Sequence, residues 1–322
     1  MRVVGPSRRA ALAGLAALGA LARPLGAHAV PGVSFGADPS RIGAAGAGDY
    51  VPPSSLRTVL DNYRRMTCPV MIQDAGPFAF VADTGANQSV IAAEIAAELN
   101  LPKSDDQPLN GVAGVQITPT VRTTLRLGAR PPREVTLSVL PADDIGGQGM
   151  LGLDQLDGAR LTLDFARSEL FLDSGPLLPG VGPIYEMQAK RRDGGLFLVD
   201  AEVAGIEVTA FIDSGAQDTI GNMALRALAY SRYPAVPWKV TPIISVTGQT
   251  IAADYADLPS LRIGDVTLPS WPVAFADLHT FRMWNLVRRP AILIGVDVLS
   301  RFQSVCLDYR NDEVRFRLPE TA

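Results

Sequence analysis

Histidine and cysteine are scarce in this 322-residue chain, with two of each. Cys68 and Cys306 stand near opposite ends, as do His28 and His279, so no spacing suits a zinc site and no His-Glu-x-x-His run occurs. A Ser-His-Asp triad would have to rely on His279, whose Asp-Leu-His-Thr setting reads as a loop. Charge of one sign is never concentrated: 29 basic and 33 acidic residues leave a net −4, which gives no electrostatic grip on nucleic acid. The longest apolar run near the start, Ala10 to Ala22, is too short to span a bilayer comfortably.

That run follows Arg8-Arg9 and precedes Ala27-His28-Ala29, a small-x-small cleavage pattern, so residues 1–29 are expected to be an export signal. Ser7-Arg8-Arg9 with Leu12 resembles a bacterial twin-arginine signal, although Ala11 replaces the usual aromatic, and ordinary Sec export stays open. The expectation is an exported, periplasmic or secreted protein with no membrane span after cleavage. No cysteine follows the cleavage pattern, which speaks against a lipoprotein. An oxidising compartment would let Cys68 and Cys306 pair; two buried free thiols are the alternative.

What is present is a repeat. Ala82-Asp83-Thr84-Gly85-Ala86 and Ile212-Asp213-Ser214-Gly215-Ala216 each end an apolar run of strand type, and each continues to Ser89-Val90 or Thr219-Ile220. The aspartates are 130 residues apart, about one domain length. Both loops are followed by a helical stretch (Ile91 to Leu99; Met223 to Ala229), a turn-rich hairpin signal (Asn110 to Val115; Val246 to Gln249) and an apolar motif ending in glycine (Leu151-Gly152; Ile294-Gly295). These repeats predict two similar, mainly β lobes, with residues 30–55 as a flexible lead-in, 56–178 as the first lobe and 179–320 as the second.

A tight Asp-Thr/Ser-Gly loop suits acid–base chemistry. Glycine allows close backbone approach, the hydroxyl can bond across to a partner loop, and the aspartate projects from a rigid strand. Two such loops face to face would bring the carboxyls within a few ångströms, so that the pair shares one proton. The ionised member can then take a proton from water while the protonated one polarises a carbonyl. The aspartic-protease dyad is the standard example of that logic.

On these residues the chain resembles a retropepsin-like aspartic protease, two β-barrel lobes fused head to tail in pseudo-two-fold arrangement. The resemblance runs from about Leu56 to Leu318 and implies Asp83 and Asp213 as the catalytic pair. Thr84, Gly85, Ala86, Ser214, Gly215 and Ala216 would be their loop supports. Gly111, Val112, Ala113 and Gly114, with Thr247 and Gly248, would form the flaps over an extended peptide or protein substrate. It implies no cofactor and no metal, and a monomer that holds its own internal pseudo-dimer. A two-lobed module that binds peptides without cleaving them is the alternative.

Three departures stand out. Asn87-Gln88 and Gln217-Asp218 replace the acidic residues of retroviral members. Ala86 and Ala216 lack the hydroxyl of pepsin-like enzymes, which would raise the pair's pKa values and move the optimum away from strong acid. A third Asp-Ser-Gly at Asp173 is followed by Pro176 and reads as a turn leaving the first lobe. Insertions around Tyr230 to Trp238 and His279 to Arg289 carry aromatics expected to pack against the second lobe, with a substrate-lining role as the other possibility.

Overall fold

The structure is a computed structural model that describes residues 34–35, 55–57, 59–61, 64–128, 130–156, 160–173, 182–191 and 197–319. The expected export signal and nearly all of the lead-in lie outside the described residues. No helix among those described is long and apolar enough to cross a membrane.

In chain order, β1 (Ser34–Phe35) precedes the first lobe, which contains β2 (Ser55–Arg57), β3 (Val59–Leu60), β4 (Met66–Ile72), β5 (Ala75–Ala82) and β6 (Val90–Ala92). It continues with α1 (Ala93–Glu98), β7 (Lys103–Gly111), β8 (Gly114–Leu127), β9 (Arg133–Leu140), α2 (Ala142–Ile145), β10 (Gly149–Leu151), α3 (Leu153–Leu156), β11 (Arg160–Asp164) and β12 (Glu169–Asp173). β1 pairs with a strand of the second lobe, as described below. Ile91 and Ala92, expected to begin a helix, are instead strand. The buried triplet Val90-Ile91-Ala92 is held between β10 and β9, so ladder bonds on both sides override helical spacing.

The second lobe repeats the series: β13 (Ile184–Gln188), β14 (Lys190–Arg191), β15 (Phe197–Val203), β16 (Ile206–Ile212), β17 (Ile220–Gly221), α4 (Met223–Arg232), β18 (Lys239–Ile244) and β19 (Thr250–Ile263). Then come β20 (Val266–Phe275), α5 (His279–Met283), β21 (Ala291–Ile294), α6 (Val296–Leu299), β22 (Ser304–Asp308) and β23 (Glu313–Arg317). Asn222 caps α4 through its side chain, which accepts from the Leu225 amide at 2.8 Å.

The lobes match in register as well as order. β5 runs parallel to β10 and β6 parallel to β9, as β16 does to β21 and β17 to β20. In each sheet a final pairing, β4 with β8 or β19 with β20, curls the strands round a core. Phe80, Ile91 and Leu137 fill the first core, and Ile212, Leu258 and Val273 lie deep in the second. The inserted aromatics pack: Phe281 and Trp284 are buried edge-to-face on Phe211, and Trp238 lies against Phe275.

A third sheet, not foreseen from the repeat, belongs to both lobes in the order β13-β23-β22-β11-β12-β2. β11 of one lobe pairs antiparallel with β22 of the other, setting Leu161 opposite Leu307 and Leu163 opposite Val305. Asp173 ends β12 in this sheet; Ser174 and Gly175 lie outside the described residues. Asp308 is fully buried and accepts from Arg160 of the first lobe at 3.0 Å and from Arg315 at 3.3 Å. Cys68 and Cys306 are free and buried, one in β4 and the other in β22.

Candidate active site

β5 and β16 each deliver an aspartate at their carboxyl ends. The Asp83 amide donates to the Leu151 carbonyl at 2.9 Å, and the Asp213 amide to the Ile294 carbonyl at 3.0 Å, so the late apolar motif anchors each loop. The motif glycines are there for clearance: a β-carbon at Gly152 would press on the Ala86 carbonyl, and one at Gly295 on that of Asp218.

The two loops meet. Thr84 Oγ1 donates to the Ile212 carbonyl at 2.9 Å and Ser214 Oγ to the Ala82 carbonyl at 2.7 Å. Each hydroxyl also accepts the other loop's amide, from Ser214 at 3.0 Å and from Thr84 at 3.1 Å. Four reciprocal bonds therefore lock the strand ends across the lobe boundary. Gly85 faces the Asp213 carboxylate and Gly215 faces that of Asp83, so closely that a β-carbon at either glycine would collide with it.

Asp83 and Asp213 are 7% and 8% exposed, and each carboxylate lies against the other loop's glycine. Asp83 Oδ1 accepts from the Gly85 and Ala86 amides at 2.8 and 3.1 Å, and Asp213 Oδ1 from those of Gly215 and Ala216, both at 3.0 Å. Burial raises both carboxyls above the ordinary range. Asp213 is raised further by the charge of Asp83, while the loop amides pull each back. Such a pair holds one proton in common.

The Gly111 to Gly114 turn tips the β7–β8 hairpin, and Thr247 and Gly248 lie in the turn between β18 and β19. The tips meet: Gly111 lies against the side chains of Thr247 and Ser245. His279 opens α5, where a loop had been expected, and its amide donates to the Val112 carbonyl at 2.7 Å. Val112 packs on the same second-lobe apolar cluster as Ala216, next to the aspartate.

Two further pairs support the loops and were missed in the sequence. Ser89 Oγ donates to Asp154 at 2.7 Å and accepts from the Gly152 amide at 3.0 Å. Thr219 Oγ1 does the same with Asp297 and Gly295, at 2.7 and 3.1 Å. Burial pushes the Asp297 carboxyl up to about 6, and nearby Asp218 adds to this against the Thr219 hydroxyl. The signal was a carboxylate two residues after each late glycine.

Among the described residues no cluster of His, Cys, Asp and Glu could hold a metal ion. Gly32 to Gly36 spells Gly-x-Ser-x-Gly, the pattern of a hydrolase nucleophile turn, but Ser34 lies within β1, paired with Thr267 of β20.

Two fused β lobes presenting one buried aspartate each define a protein of the acid-protease type. The profile of the family described as aspartyl protease matches residues 68–155 and 199–298, more than half of the sequence and one stretch in each lobe. The chain belongs to the aspartyl protease family. A search of curated proteins returned no match.

Proposed function

We propose that the protein is an endopeptidase that hydrolyses extended polypeptides with a water activated between Asp83 and Asp213. The observation that carries this is the buried carboxyl pair, each member seated on the opposite loop's glycine. One ionised carboxylate takes a proton from the water as its oxygen adds to the scissile carbonyl carbon, and the protonated partner donates to the carbonyl oxygen. A gem-diol results. Its collapse breaks the C–N bond, with a proton passing to the departing nitrogen, and leaves an acid and an amine. The Gly85, Ala86, Gly215 and Ala216 amides hold one oxygen of each carboxyl, while Thr84 and Ser214 lock the two loops together and need not touch the substrate.

The hairpins tipped by Gly111–Gly114 and Thr247–Gly248 would clasp the substrate backbone as added strands. Both aspartates come from one chain, which supports action as a monomer. The amino-terminal pattern supports export, and fractionation of cells carrying the tagged full-length chain tests it.

The test of the reaction is cleavage of a mixed peptide library between about pH 3 and pH 8, with and without pepstatin. Asp83→Asn and Asp213→Asn should each lower kcat/KM by at least about a thousandfold. Cleavage surviving either substitution would refute the shared dyad.

A further inference from the structure

The bonds nearest the dyad are the same on both sides, so they do not decide which aspartate carries the charge. The next layer differs. The antiparallel β4–β5 ladder ends with Thr67 opposite Val81, so Arg65, just before β4, and Asp83, just after β5, stand at the same end of it. In the second lobe the ladder ends with Leu198 opposite Phe211. There the influences that act most on Asp213 are burial, the Asp83 carboxyl and its own loop amides.

Arg65 is 5% exposed and firmly held. Its Nε donates to Asp61 at 2.7 Å, its Nη2 to the Ile145 carbonyl at 2.9 Å, and its own amide to Asp61 at 2.8 Å. A buried guanidinium beside Asp83, held at Nε and Nη2, makes a permanent electrostatic bias.

We propose that Arg65 is a positioning residue that polarises the dyad, holding the negative charge on Asp83 and leaving the shared proton on Asp213. Asp83 is then the base toward water and Asp213 the acid toward the carbonyl. This rests on the reading of the pair as catalytic. Among the described residues the charges that act most on the pair are the two carboxylates themselves and Arg65, whose own partner is Asp61. Asp218, five residues beyond Asp213, acts on Asp297 and Tyr255. The Arg65 field lowers Asp83, whereas the principal influences on Asp213 include no cation, and Asp213 is the more strongly raised of the two.

The test is carboxyl NMR of protein labelled with [4-13C]aspartate, assigned with Asp83→Asn and Asp213→Asn, alongside the pH profile of kcat/KM. Arg65→Met should move the lower step of the pair up by about one unit, a roughly tenfold loss of the active form on the acid limb. Arg65→Lys should restore the wild-type step. Asp61→Asn, which strips the guanidinium of its counter-charge, should move that step down and keeps the test open if Arg65→Met does not fold. A step unmoved in Asp61→Asn, or moved equally by Arg65→Lys and Arg65→Met, would overturn the proposal. NMR reads the carboxyls without turnover. A dyad that responds to Arg65 in a chain that cleaves nothing would sink the protease reading alone; cleavage with an indifferent dyad would sink this one.

Discussion

The amide of His279 donates to the carbonyl of Val112 at 2.7 Å and so ties the tip of the first-lobe hairpin to an inserted helix of the second lobe. Val112 adds its side chain to the apolar cluster that includes Phe281 and Trp284. On the proposed reading of the hairpins as flaps, entry of a ligand loosens this contact. His279 is the first residue of its helix and follows an extended Leu278, where proline is well tolerated. His279→Pro therefore deletes the donor and keeps the helix. One buried hydrogen bond is worth about 1 kcal/mol, so pepstatin should associate with this variant about fivefold faster, while His279→Ala, which keeps the amide, should match wild type. Equal rates in all three would show that the bond does not restrain the hairpin.

The dyad costs stability at neutral pH. Both carboxyls have folded values above their unfolded ones, so their favourable contribution is fully present below the unfolded carboxylate range and is lost as pH rises through the folded values. Asp213→Asn removes the repulsion and should raise Tm by a few degrees at pH 7, with the gain shrinking in acid. An unchanged melting curve at pH 7 would mean that the pair is not strained.

Asp308 has the opposite sign. Burial alone would raise its carboxyl, but the Asn311 amide and the Arg160 guanidinium outweigh that and hold it below the ordinary range. Its contribution is present above the unfolded carboxylate range and disappears as pH falls through the folded value. Asp308→Ala leaves two guanidinium groups without this acceptor in the shared sheet and should cost about 3–5 kcal/mol in urea unfolding. Because the sheet joins both lobes, the wild-type chain should unfold in one transition; two separate transitions would contradict that coupling.

The thiols should be inert. Burial pushes Cys68 up to about 12 and Cys306 up to about 11, so neither supplies thiolate at neutral pH. Native protein should show no reaction with a thiol-specific chromophore, and unfolded protein should show two equivalents. Rapid labelling of the native state would place one of them at the surface.

The repeat of strand, aspartate loop and late apolar glycine was legible because each part has a local cause. Buried strands read as apolar runs, and the Asp-Thr/Ser-Gly loop needs glycine for close approach. The sequence therefore determined two similar β lobes with one candidate aspartate each, and the hairpins between them. Local patterns also misled. Ile91 and Ala92 carry helical spacing but are claimed by two neighbouring strands, and His279 in a loop-like setting opens a helix.

Only the tertiary structure decided how the two halves act on each other. Nothing near Leu161 announces Leu307 as its neighbour, nor does anything near Leu163 announce Val305, because such contacts join residues with no local interaction to constrain them. The shared sheet, the crossed bonds of Thr84 and Ser214, and the seating of each carboxylate on the other loop's glycine arise when two folded lobes close together. The raised carboxyls of Asp83 and Asp213 are a property of that closure, since repulsion between them and their loss of water exist only once both are buried side by side.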